Sequence, residues 1–170
     1  MRMVACVHVE QPVDRDAYRR AVGRFATGIA VVTTRLGGID HVMTVNSFAS
    51  VSLDPLLALF CAEKVARFHD AVLAAGVWGV SVLPDTAEDV SRFFAHRGRP
   101  LAGQLDGRPH HHGGLGVPLL DDALATLECR TTAVHDGGDH SIVVGAVVAV
   151  ATPAEGSPLL YHEGRYRRLG

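Results

Sequence analysis

Two β-prone runs joined by a glycine-rich turn constrain this chain most. Residues 125–134, ATLECRTTAV, alternate in polarity, with Ala125, Leu127, Cys129, Thr131 and Ala133 on one face and Thr126, Glu128, Arg130 and Thr132 on the other. Residues 141–152, SIVVGAVVAVAT, answer with a strand that is apolar on both faces, and HDGGDH lies between them as a turn. A long antiparallel hairpin is the expectation. Gly145 inside its second arm marks a bulge or a close backbone contact.

The rest of the chain continues the pattern. Residues 29–34, IAVVTT, read as a strand, Gly37 and Gly38 as a hairpin turn, and residues 41–46 as the returning strand. LLALFC (56–61) is apolar on both faces and reads as a central strand, and VWGVSVL (77–83) as another. Three helices interrupt the strands. Asp14 caps one through about Ala26, with Ala17, Ala21 and Phe25 on one face and Gly28 following as the C′ glycine. A second runs through Ala75 and stops at Gly76. Pro84 and Asp85 open a third, in which Val90, Phe93 and Phe94 share a face. Residues 98–118 are the longest irregular stretch, with six glycines and three prolines. The C-terminal run turns at Glu163-Gly164 between Tyr161 and Tyr166. Residues 1–13 read equally as a short strand or a frayed extension. Six or seven hairpin-linked strands with inserted helices point to one domain over residues 1–170, mainly β with α-helices inserted, built as a small antiparallel barrel.

Composition excludes several partners. A formal net charge of -2 leaves no electrostatic footprint for nucleic acid. No apolar run is long enough for a membrane helix, and the N-terminus has no signal-peptide h-region. The three cysteines are odd in number and far apart, which fits a reducing, cytoplasmic setting.

Chemistry concentrates in residues 43–55, MTVNSFASVSLDP. Thr44, Asn46, Ser47, Ser50 and Ser52 alternate with Val45, Phe48, Val51 and Leu53. Hydroxyls at this density suit a ligand with a phosphate tail and a ring edge rich in C=O and N–H. They equally suit a Ser-rich turn that satisfies its own backbone. There is no G-x-S-x-G, no Walker A and no Rossmann fingerprint, since the glycines at 113–116 follow no strand in G-x-G-x-x-G spacing. Asp139, His140 and Ser141 are consecutive, so on extended chain they cannot converge as a triad. His110, His111 and His112 are consecutive too, an awkward geometry for one ion, and no metal site is expected. His140, ending the Gly-rich turn, either lines a cleft or titrates as an ordinary hairpin-tip histidine.

Seven segments in order give a family resemblance: FATGIAVVTT (25–34), MTVNSFASVSLDP (43–55), LALFC (57–61), VSVL (80–83), LATLEC (124–129), GGDHSIVVG (137–145) and PLLYHEGRYRRL (158–169). The chain resembles the flavin reductase-like, FMN-binding split-barrel family, in particular the small reductase components of two-component flavin monooxygenases. The resemblance implies a split β-barrel acting as a homodimer. It implies NAD(P)H-dependent flavin reductase activity: hydride passes from NADH or NADPH to FMN or FAD, and reduced flavin goes to a separate monooxygenase. Thr44, Val45, Asn46, Ser47, Ser50, Val51 and Ser52 match the segment that holds the flavin. Ala62, Glu63, Lys64 and Arg67 match the segment that helps hold its phosphate, with Thr27, Gly28 and Ala30 nearby. His140 matches the histidine beside the nicotinamide, with Asp139 next to it and Tyr166 near the same cleft. The chain departs from the family at the residue after Pro55, where a second proline is common, at Ser81, where Asn is common, and at Val65 and Arg67, where hydroxyls are common. Arg67 would there replace hydroxyls by charge. Hydride transfer needs no proton abstraction, so His140 is assigned positioning work. The alternatives are a flavin-binding carrier or redox sensor that does not turn over, and a His-rich metal-binding module.

Overall fold

The structure, a computed structural model, describes residues 13–169. The ambiguous N-terminal run therefore lies almost wholly outside the described residues. Helix α1 spans Arg15–Gly23, and Asp14 caps it through Oδ2, which accepts the Ala17 N–H at 2.9 Å. Strand β1 (Thr27–Gly28) precedes the hairpin of β2 (Ala30–Leu36) and β3 (Ile39–Val45). Then come β4 (Ala49–Leu53), β5 (Leu56–Glu63), α2 (Arg67–Ala75), β6 (Val77–Val82) and α3 (Glu88–Ala95). The second half holds β7 (His110–His112), β8 (Pro118–Leu120), β9 (Ala125–Gly137), β10 (His140–Ala151), β11 (Leu160–His162) and β12 (Arg165–Arg167).

Seven strands form one antiparallel sheet in the order β3-β2-β6-β9-β10-β5-β4. It curls around a core of Phe60, Trp78, Val32, Val80, Cys129 and Val143, and α2 closes one end with Phe68 and Val72. Phe60 meets Trp78 edge-on, ring centroids 4.9 Å apart. A second cluster lies outside the sheet, where Phe94 of α3 and Leu105 pack on Val31, Val42 and Leu159. This mostly β architecture is a split barrel with inserted helices.

Gly37 and Gly38, both at positive φ (59° and 81°), make the β2–β3 turn that the sequence predicts. Gly145 sits at a register shift against β9, and a Cβ there would stand 2.7 Å from Trp78 Cζ2. The bulge and the close contact are both present.

Three expectations give way to tertiary structure. Helix α1 ends at Gly23, because the Gly23 carbonyl accepts the Glu163 N–H at 2.9 Å; Gly28 then pairs with Leu160 as strand instead of capping a helix. The face that Phe25 shares stays open among the described residues, with Phe25 76 % exposed. The 135–140 turn shrinks to Gly138 and Asp139, since β9 runs on to Gly137 and β10 starts at His140. Within 98–118, β7 pairs with β8. The reason lies on β9: Thr126 and Glu128 point inward, Glu128 only 6 % exposed. Beside β6, that end of β9 is covered on both faces. The Glu128 carboxylate is satisfied by the N–H groups of Gly114 (2.9 Å) and Leu115 (2.6 Å), which pins the β7–β8 turn.

Candidate functional site

The edge strand β3, the end of β5, the start of α2, the end of α3 and segment 96–104 enclose a cleft of about 410 Å³. The first part of the hydroxyl-rich segment, residues 43–47, lies on it because β3 has no strand neighbour on that side. Thr44 donates through Oγ1 to the Ser91 carbonyl at 2.8 Å, and Ser91 Oγ meets Tyr166 Oη at 2.9 Å. That chain ties β3, α3 and the C-terminal hairpin into one wall. Ser47 Oγ accepts the Cys61 N–H at 3.0 Å. Arg97 spans the rim to Glu63 at 2.5 Å, and Arg67 donates to the Arg99 carbonyl. Arg99 gives its own N–H groups to the carbonyls of Val42, Phe94 and His96, fixing segment 96–104 against the sheet.

His140 begins β10 opposite Glu63 of β5, so both reach the cleft from neighbouring strands. Its Nδ1 pairs with Asp139 Oδ1 at 2.7 Å, which leaves Nε2 for the cleft. The same contact holds the Asp139 carboxyl below its usual range, through the hydrogen bond and the charge of His140. Cys129, in the barrel core, has its thiol pushed up to about 12 by burial and by Glu128.

The structure gathers Thr44, Val45, Asn46, Ser47, Glu63, Arg67 and His140 around one cavity. Other candidates stand apart. Ala30 and Ala62 are buried in the barrel core and offer the cleft no side chain. Ser50, Val51 and Ser52 lie on β4, with Ser52 Oγ accepting the local Asp54 N–H at 3.2 Å. Lys64 pairs with Asp136 near the β9–β10 turn. Thr27 and Gly28 are on β1, and Tyr166 acts on the cleft through Ser91. Among the described residues no group of three or more His, Cys, Asp or Glu side chains could hold a metal ion. His111 and His112 pair with Asp121 and Asp40 instead.

Sequence reading misses His41, Cys61, Arg97, Arg99 and Gln104, which also line the cleft. No local pattern marks them. His41, Arg97, Arg99 and Gln104 arrive through the packing of segment 96–104 on β3, and Cys61 through β5, which Ser47 reaches from the end of β3.

Residues 22–170 match the model of the flavin reductase like domain. A reductase component of 4-hydroxyphenylacetate 3-monooxygenase from Thermus thermophilus is 39 % identical over 155 residues, covering 91 % of this chain and 97 % of the relative. An NADH-dependent FMN reductase of Streptomyces nodosus subsp. asukaensis is 40 % identical over 157 residues, covering 91 % and 85 %. Among solved structures, the flavin reductase component of a bacterial two-component tryptophan halogenase superposes with TM-score 0.87 at 41 % identity, covering 92 % of this chain and 98 % of that one. An NADH:FAD oxidoreductase of Streptomyces globisporus, solved with NAD and FAD fragments, has TM-score 0.87 at 38 % identity, covering 96 % and 98 %. The chain belongs to the flavin reductase like domain family.

Proposed function

We propose that this protein is an NAD(P)H:flavin oxidoreductase that supplies reduced FMN or FAD to a partner monooxygenase. One observation carries the reading: residues 44–47, Glu63, Arg67 and His140, distant in sequence, line one cleft. The lining fits the two nucleotides. Asn46 is an exposed amide at the cleft, Arg67 brings positive charge, and the β3 edge is open to a carbonyl-rich ring edge. When bound, the nicotinamide supplies the hydride and the flavin accepts it.

The chain's own residues bind and orient. Thr44 to Ser47 hold the flavin side and Arg67 faces its phosphate side, while the Glu63 carboxylate is turned to Arg97. His140, with Nδ1 engaged by Asp139, presents Nε2 to the nicotinamide carboxamide or pyrophosphate. Transfer depends steeply on how the two rings are held, and the wall fixed by Thr44, Ser91 and Tyr166 keeps that geometry. The protein works as a homodimer, because β4 and β10 carry surplus apolar surface: Leu53 is 83 % and Val150 70 % exposed. Cys61 and Cys129 are free thiols, which suits the cytoplasm, and no described helix is long and apolar enough to cross a membrane.

The test is an anaerobic absorbance titration with FMN and FAD, followed by NADH and NADPH. Binding should be micromolar or tighter, and the flavin band should bleach over many turnovers. Flavin that binds and stays oxidised would make the protein a carrier or sensor.

A further inference from the structure

His140 stands at the tip of the β9–β10 hairpin, behind a two-residue turn, and residues 135–139 are exposed. Its position is paired with Gly137 of β9 and with Glu63 of β5. That ladder spaces the strands, yet the end of a hairpin opens more readily than its middle. The next residue, Ser141, points to the opposite face of the strand. There its Oγ meets His69 Nε2 of α2 at 2.9 Å, and His69 Nδ1 meets Asp70 Oδ1 at 2.8 Å. Ser141 is only 6 % exposed, and the His69 side chain 12 %.

The pattern of contacts is that of a hydrolytic triad, drawn from α2 and β10. Access argues against hydrolysis: Ser141 is buried and does not line the cleft, so a substrate carbonyl does not reach its hydroxyl. The same bonds make a directional tether. A carboxylate only accepts, so Asp70 keeps the proton on Nδ1, and Nε2 then accepts from the Ser141 hydroxyl. Helix α2 is the firm end of that tether, because it buries Phe68, Ala71 and Val72 in the core. Apolar packing is non-directional and does not by itself set where a neighbouring strand starts. Among the described residues, the bond from His69 to Ser141 is the one side-chain hydrogen bond between α2 and the seven-stranded sheet. Just before α2, Lys64 gives its N–H to the Asp139 carbonyl at 3.0 Å and holds the turn from the other side.

We propose that His69 and Ser141 are positioning residues for hydride transfer: their hydrogen bond anchors the start of β10 to α2 and so holds the His140 imidazole at the cleft. This rests on the flavin reductase reading and adds to it a pair of residues outside the cleft. The pair acts through His140. An anchor on one face of an extended strand fixes the backbone from which the preceding side chain leaves on the other face. Without the anchor the hairpin tip shifts, and hydride transfer falls off steeply when the reacting groups are misplaced. Residues 44–47 and Arg67 keep their places, because β3 and the apolar contacts of α2 do not depend on this bond.

The experiment follows flavin reduction by NADH in stopped flow, with an FMN and FAD titration beside it, for wild type, Ser141→Ala, Ser141→Thr, His69→Leu and the Ser141→Ala/His69→Leu double variant. The kcat/KM for NADH should fall roughly three- to tenfold in Ser141→Ala and in His69→Leu, the size of one lost hydrogen bond felt at the transition state. The double variant should be no slower than either single one, because both remove the same bond. Ser141→Thr keeps the hydroxyl and should restore most of the rate. Flavin affinity should hold throughout. In a His140→Ala background, Ser141→Ala should cost nothing further, since no imidazole is left to position. Unchanged rates beside a lowered unfolding midpoint would make the pair merely structural and overturn the proposal. A full further loss in the His140→Ala background overturns it as well, as does a Ser141→Thr rate no better than that of Ser141→Ala. Lost flavin affinity would mean that the bond holds Arg67 instead. On wild type alone, nitrogen NMR of the His69 ring should show Nδ1 protonated and Nε2 accepting; the opposite tautomer overturns the proposal even where the variants do not fold. A wild type that binds flavin and reduces none sinks the reductase reading and this proposal with it, whereas turnover that the variants leave unaltered sinks this proposal alone.

Discussion

Ser47 meets Cys61 across the split in the barrel. Its Oγ accepts the Cys61 N–H at 3.0 Å and lies 3.4 Å from the Cys61 carbonyl, where its proton can be donated. Strand β4 pairs with β5 only from Leu56 to Leu59, so the edge of β5 beyond Leu59 would otherwise lack a partner from β4. One hydroxyl just past the end of β3 replaces the missing ladder there. The residue is thus a strut as well as a cleft wall.

Ser47→Ala should therefore cost stability even without ligand. It leaves a part-buried N–H unpaired, which costs about 1–3 kcal/mol. Denaturant unfolding of the ligand-free variant checks this. Ser52→Ala, which removes only a local turn bond to the Asp54 N–H, should change stability much less. Equal effects of the two substitutions would mean that Ser47 does not brace the split.

The surplus apolar surface gives a second expectation. Leu53 on β4 and Val150 on β10 are among the most exposed apolar side chains of the described chain. Joint replacement by Asp should convert the protein to monomers, because a desolvated pair of carboxylates on each side opposes a symmetric interface. Light scattering at micromolar concentration reads the mass. A wild-type monomer, or a variant dimer as stable as wild type, would contradict the assignment of this face.

The sequence made the frame legible where physics acts locally. The Gly37-Gly38 turn and the alternation of β9 and β10 are written in adjacent residues, and Gly145 signalled its contact with Trp78. What stayed hidden was set by distant packing. Nothing in the residues around Glu128 marks the β7–β8 turn, whose two N–H groups satisfy its buried carboxylate. Gly28 reads as a helix cap until Leu160 pairs with it. The hydroxyl-rich stretch divides in two: Ser52 makes the local turn bond, while Ser47 reaches fourteen residues along the chain to Cys61. His41, Arg97 and Arg99 become a wall only once segment 96–104 folds back on β3.

His140→Ala tests the hydride step. The imidazole lines the cleft beside Glu63, and its Asp139 contact fixes which nitrogen faces inward. The kcat/KM for NADH should fall roughly ten- to a hundredfold, about 1.4–2.7 kcal/mol of transition-state binding. Flavin affinity should hardly change, because the flavin side is held from β3 and α2. Stopped-flow reduction beside a flavin titration separates the two. Unaltered reduction would return His140 to an ordinary hairpin-tip histidine, and lost flavin binding would move it to the other subsite.

The buried His41 ring also predicts a pH dependence of stability. Burial first, and then the Arg67 charge, lower its pKa in the folded state, with Asp40 opposing. In the unfolded chain the imidazole titrates near 6.5. Between the lowered folded value and about 6.5, the unfolded chain binds more protons than the folded one. The His41 contribution to stability should therefore rise with pH across that window and be lost as the solution is acidified through it. Melting temperatures of the ligand-free protein from about pH 7.5 down to about 5.5 should fall for wild type, and less steeply for His41→Gln, whose side chain has no proton to gain. A variant with the same acid slope as wild type would show that His41 is not the group that titrates.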